Sequence, residues 1–247
     1  MQTDMTVGKP MKMLLNFTIP VFLGNVFQQL YSMADAVIVG KFVGTKGLAA
    51  VGATGTITFL IIGFLMGVTT GVTVLTSQKF GAGRMDEMRK TVGNAAILSA
   101  VIAVVMTAVS MLGMHRLLVF MHTPEDIFDG AYGYIMIICA GIFTQVLYNL
   151  VSSILRALGN SKTPLYFLIL AAGLNIVLDL VFIIFFHWGA PGAAWATVIS
   201  QGVSGVLCLI YMWKAVPELK MKKEDWYFNR DIAVKQISVG IPMGLQY

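Results

Sequence analysis

Apolar residues run along this chain in long blocks rather than in strict alternation or narrow stripes. Six blocks are long enough to cross a bilayer core of about 30 Å as helices, which takes about 20 residues. They cover roughly residues 13–39, 48–77, 91–114, 130–155, 163–187 and 191–213. Short glycine-rich or polar breaks separate them: Gly44, Thr45 and Gly47 after the first, Gly81 to Gly83 after the second, Gly159 to Pro164 after the fourth and Gly189 to Gly192 after the fifth. Breaks this short make successive helices antiparallel neighbours. The pattern predicts an all-α polytopic membrane protein. A bundle of six transmembrane helices occupies residues 1–213, a basic cytoplasmic linker 214–235, and the first turns of a seventh helix 236–247.

Composition sharpens this. Hydrophobic residues are 57% of the 247 and charged residues 12%, with a mean hydropathy of +0.79, whereas soluble domains carry about 25% charge. The net charge of +5 does not point to nucleic acid, because no predicted helix has a basic face and the cations sit in connecting segments. Counted by alternate connections, 14 of the 17 Lys and Arg fall on one side: the N-terminal tail, the 78–90 and 156–162 loops and the 214–235 segment. Only Lys41, Lys46 and Arg116 fall on the other. The positive-inside rule then makes the richer side, and the N-terminus with it, cytoplasmic. The expected location is the inner (plasma) membrane. Trp188 and Trp213 lie at opposite ends of the last two spans, where indoles prefer the headgroup region. Cys139 and Cys208 sit in apolar runs without a metal-type Cys/His spacing, so neither a disulfide nor zinc is expected, and no cofactor is.

Two acids lie inside spans, Asp35 and Asp179, and each costs roughly 2.5–3.5 kcal/mol at a helix centre. Asp35 is about 6 Å from the outer end of its span and Asp179 about 12 Å, at 1.5 Å per residue. Asn175 precedes Asp179 by one helical turn, so an amide oxygen and a carboxylate share a face. Thr197, about 9 Å into the next antiparallel span, reaches a similar depth. Asp35, Asn175, Asp179 and Thr197 are therefore expected to converge in the outer half of the bundle as oxygen ligands for a monovalent cation. Desolvation disfavours the charged carboxylate and a bound cation favours it, so H+ and Na+ would compete for one site. The opposing expectation is a packing network without ion traffic. Gly63, Gly67 and Gly71 form a small-residue stripe on the second span, read as close helix packing, and the 16 Met as lipid-facing or packing filler.

Two intramembrane aspartates also suit a proton-sharing protease dyad. The Gly-x-Gly-Asp context of such proteases is absent, since Asp179 follows Val177-Leu178 and Asp35 follows Met33-Ala34. Nor is there a Gly-x-Ser-x-Gly, His-Glu-x-x-His or phosphate-binding Gly-Lys-Ser/Thr motif, which leaves catalysis and ATP coupling without support. Near the end, Gly240-Ile241-Pro242-Met243-Gly244-Leu245 echoes Thr18-Ile19-Pro20-Val21-Phe22-Leu23 with three identities in six. Repetition of a six-span unit is the plan of a two-lobe transporter. Tyr247 falls too early to complete a seventh span, so either a second lobe or a second copy is expected to complete the assembly.

The chain resembles the first half of the multidrug and toxic compound extrusion (MATE) family. The similar residues are Ile19-Pro20 with Gln28-Gln29-Leu30-Tyr31, then Asp35, Val39-Gly40 and Leu48-Ala49-Ala50. Further on come Leu155-Arg156-Ala157-Leu158-Gly159-Asn160 with Thr163-Pro164, Asn175 with Leu178-Asp179, and Gly192-Ala193-Ala194-Trp195-Ala196-Thr197. The resemblance implies one six-helix lobe of an antiporter. Entry of Na+ or H+ would drive out small organic, often cationic, compounds by alternating access. It carries the family's amino-terminal cation site onto Asp35, Asn175, Asp179 and Thr197, with Na+ as the metal, and names no substrate-contacting residue. A flippase for lipids or lipid-linked oligosaccharides, expected to have a basic cavity, is the alternative within transporters. A truncated, non-transporting membrane fragment is the alternative outside them.

Overall fold

The computed structural model describes residues 10–246. Among these residues every regular element is helical. The first three spans are single helices, α1 (Pro10–Phe42), α2 (Thr45–Gly81) and α3 (Met85–Phe120). The fourth is a bent pair, α4 (Glu125–Ala140) and α5 (Ile142–Ala157), with 46° between them. α6 (Lys162–Leu180) ends in a π turn over Val181–Phe185, and α7 (Gly189–Ala215) completes the set. Five of these helices are long and apolar enough to cross a membrane, and counting the bent pair as one span gives six. The six apolar blocks of the sequence coincide with these five helices and the bent pair.

The bend in the fourth span has a local cause. Gly141 faces α7 so closely that a Cβ on it would lie 2.2 Å from Val198 Cγ2, so the two helices meet where only hydrogen fits. The chain turns there, and Thr144 Oγ1 donates to the Gly141 carbonyl at 2.8 Å. The turn between α5 and α6 is closed by Asn160, whose Nδ2 donates to Thr163 Oγ1 at 2.9 Å and whose Oδ1 accepts the Thr163 N–H at 3.1 Å. Tyr148 locks α5 onto the same turn by donating to the Pro164 carbonyl at 2.9 Å. The Leu-Gly-Asn and Thr-Pro steps therefore act as turn chemistry.

Apolar side chains collect in two clusters. One, around Val39, Leu118, Ile135, Cys139 and Ala193, fills the half of the bundle near the α1–α2 turn. The other, around Met88, Leu155, Cys208, Met212 and Leu219, fills the half near the Lys/Arg-rich turns. Large exposed hydrophobics such as Phe22, Leu112, Phe143 and Phe185 cover the outside, the inverse of a soluble protein's surface and the expected face toward lipid.

After α7 the chain makes two 3-10 turns, Pro217–Leu219 and Lys223–Trp226, and enters α8 (Arg230–Leu245). The sequence placed the linker's end at 235, but the helix starts at Arg230 because Asn229 caps it. Its Oδ1 accepts the N–H groups of Asp231 and Ile232 at 2.9 and 3.2 Å. α8 lies on the glycine stripe of α2. A Cβ on Gly67 would fall 2.4 Å from the Met243 carbonyl oxygen, and one on Gly71 would fall 2.5 Å from Gly240 Cα. Gly63, the third member of the stripe, instead lines a cavity.

Gly67→Ala should therefore force α2 and α8 apart and cost about 1–3 kcal/mol, the scale of overpacking. Gly113→Ala on α3, with nothing within 4 Å of the added Cβ, should be neutral or mildly stabilising. Thermal unfolding of the two variants in detergent reads the difference.

Candidate functional site

α1 carries a polar face in an otherwise apolar helix. Asn25, Gln28, Tyr31, Ser32 and Asp35 recur at helical spacing and face an open cavity of about 560 Å³. The opposite wall comes from Gly55, Thr58 and Gly63 on α2, Tyr134 on α4, Gln145 on α5, and Thr197 and Gln201 on α7. Among the described residues no lining residue is basic, and Asp35 is the one charged residue in the lining.

Behind this wall, out of the cavity's lining, lie Asn175 and Asp179, both with 0% exposure. Their spacing on α6 points both toward α7 and α1, as one helical turn requires. Asn175 Nδ2 donates to Thr197 Oγ1 at 3.4 Å, a long hydrogen bond across the α6–α7 interface. Asp35, 8% exposed, reaches the same place from α1, and its carboxyl lies within interaction range of that of Asp179. All four residues singled out from the sequence are thus brought together from three helices.

The cluster is short of donors. Asp35 Oδ1, Asn175 Oδ1 and both carboxylate oxygens of Asp179 are buried without a hydrogen-bond partner. The two aspartate carboxyls lie close enough to share a hydrogen bond once one of them is protonated. Leaving such acceptors unsatisfied costs about 1–3 kcal/mol each, more when they are charged. Four buried oxygens without a donor make this the most electron-rich point among the described residues around the cavity.

Two contributors escaped the sequence reading. Tyr31 lies one helical turn before Asp35 and close to Thr197, and Tyr134, 7% exposed, reaches the aspartates from α4. The four-residue step from Tyr31 to Asp35 was a usable signal. Tyr134 had none, because it sits among apolar neighbours of the bent fourth span. The glutamines Gln145 and Gln201 share that fate. Gln201 Oε1 is buried without a partner at the cavity wall.

A six-span helical bundle with a paired intramembrane acid site beside an open cavity is the architecture of a membrane transporter lobe. The chain belongs to the MatE family, whose model matches residues 20–181, in agreement with the resemblance carried by the motifs above. It is 33% identical over 245 residues to the probable multidrug resistance protein YpnP of Bacillus subtilis, a match covering 98% of this chain and 54% of that protein. It is 27% identical to the probable multidrug resistance protein NorM of Thermotoga maritima, over 95% of this chain and 51% of that one. Among solved structures, the outward-facing conformation of a multidrug resistance MATE family transporter of the MOP superfamily superposes with a TM-score of 0.90 at 28% identity. That superposition covers 96% of this chain and 53% of the other. The chain spans about half the length of the curated relatives it matches, and the shared half fits one lobe of the fold.

Proposed function

We propose that this chain forms the amino-terminal lobe of a cation-coupled exporter, a secondary active transporter rather than an enzyme, that expels organic compounds by alternating access. The observation that carries the reading is the set of donor-less oxygens on Asp35, Asn175 and Asp179 beside Thr197. In this reading Asp35 and Asp179 are the protonatable ligands, and Asn175 and Thr197 contribute neutral oxygens. Na+ or H+ entering the shell screens the two carboxylates from each other, and losing it restores their repulsion. That change is the differential interaction needed to bias one conformation over another.

The names of the relatives support a drug-like substrate. The cavity supports a cationic one, because its polar lining offers Asp35 with the amide side chains of Asn25, Gln28 and Gln29, and no basic residue. The same lining weighs against a flippase for anionic lipids, which needs cations in its cavity. A second lobe, supplied by further chain or by a second copy, completes the substrate path. The lobe sits in the plasma membrane with its Lys/Arg-rich end in the cytoplasm.

Thermal unfolding of the solubilised chain in NaCl against matched KCl tests the cation site. Na+ should stabilise the wild type by about 2.7 kcal/mol at a hundredfold excess over its dissociation constant, and Asp179→Asn should abolish the difference. Without Na+, rising pH removes the proton and leaves two charges side by side, so the wild type should lose stability while Asp179→Asn holds. Equal unfolding curves for the two proteins in NaCl and KCl at every pH would mean that the cluster holds no cation. For orientation, reporter fusions after Gly83 should read cytoplasmic and those after Thr123 external. The reverse would invert the lobe.

A further inference from the structure

The polar stretch after α7 reads in sequence as a solvated tether, yet it is docked. Val216 and Leu219 are buried among Met88, Leu158 and Met212 in the cluster at the Lys/Arg-rich end. Asp225, 4% exposed, lies 3.4 Å from Arg89 Nε, near enough for an ion pair though not aligned for a hydrogen bond. Arg89 also pairs with Asp86 on its own helix. Asp225 Oδ2 accepts the Lys222 N–H at 2.8 Å, and the Lys222 carbonyl accepts the Asp225 N–H at 3.0 Å. The Asp225 carbonyl oxygen presses on α3 so tightly that a Cβ on Gly93 would lie 2.1 Å from it.

The docking continues into α8. Asn94 Oδ1 on α3 accepts the Asn229 N–H at 2.9 Å. Gln236, 1% exposed, bridges two helices by donating through Nε2 to the carbonyls of Val72 at 3.0 Å and Thr91 at 2.8 Å. A segment held by apolar burial, a partly buried ion pair and hydrogen bonds into two helices is not a flexible linker, whose ends would couple only through its length.

Beyond Gln236 the character of the contact changes. α8 meets α2 through Gly240 and Gly244 against Gly71 and Gly67, backbone on backbone. Pro242 lies inside the helix and has no N–H to give the Ser238 carbonyl, the usual weak point of a helix. We propose that residues 216–239 are a strap built into the first lobe. The joint on which any following membrane segment swings then lies at Gly240–Gly244, inside α8, and not in the polar loop. Motion of a second lobe would act directly on the α2 glycine stripe, one turn from Gly63 at the cavity.

Hydrogen–deuterium exchange of the 247-residue chain in lipid nanodiscs tests the strap. Amides of 216–229 should exchange more than about tenfold slower than in a free peptide, and Arg89→Gln or Asp225→Asn should speed them by about tenfold. Free-peptide rates in the wild type would overturn the proposal, as would exchange unmoved by both variants. For the joint, nitroxide pairs are placed in a Cys139→Ala, Cys208→Ala background. Lys90→Cys with Lys223→Cys should give one narrow distance, and Leu60→Cys with Leu245→Cys a broader distribution. A broad strap pair, or two equally narrow pairs, would contradict it.

Discussion

Inside hydrocarbon there is no water to satisfy a polar atom, and every other feature of this lobe accommodates that constraint. Backbone groups are satisfied by continuous helices, and several buried hydroxyls by donation back to their own helix, as Thr54, Thr69 and Thr73 do. The cluster around Asp35 and Asp179 departs from this furthest, with four buried oxygens that lack a donor. Two carboxylates from helices far apart in sequence are held face to face with too few donors, a geometry that the surrounding packing must impose against their mutual repulsion. Structures retain such groups where the cost is recovered on binding. The aspartates, the cavity and the absence of basic lining residues then form one arrangement rather than three coincidences.

The frame around the pair is made of small residues. α4 and α5 bend where Gly141 admits Val198, and α2 and α8 approach through paired glycines. Without a hydrophobic force between helices in lipid, close packing of this kind holds a bundle together. It also leaves surfaces that slide with little side-chain rearrangement. At the Lys/Arg-rich end, by contrast, α3, residues 216–229 and the start of α8 share buried polar contacts.

Much of this was legible in the sequence because it depends on local periodicity. Span lengths follow from apolar runs, and the shared face of Asn175 and Asp179 follows from a four-residue step. Depth along antiparallel helices sufficed to suggest Thr197 as a neighbour, and the structure puts it 3.4 Å from Asn175. What could not be read depends on contacts between distant segments. The run from 130 to 155 holds three glycines, Gly130, Gly133 and Gly141, and nothing in the run itself singles out Gly141 as the bend. Asp225 looks like one more charge in a solvated loop until the fold brings Arg89 to it. Tyr134 and Gln145 become cavity residues only once the bent fourth span is placed.

In the proposed function Asp35 and Asp179 hold one exchangeable positive centre between them. Infrared difference spectroscopy of the carboxylic C=O stretch, recorded on the solubilised chain as NaCl replaces KCl near neutral pH, observes that centre directly. The expected spectrum has a protonated-carboxyl band that diminishes with Na+ and is missing from Asp179→Asn. A spectrum without such a band, or one indifferent to Na+ across the pH range, would contradict it.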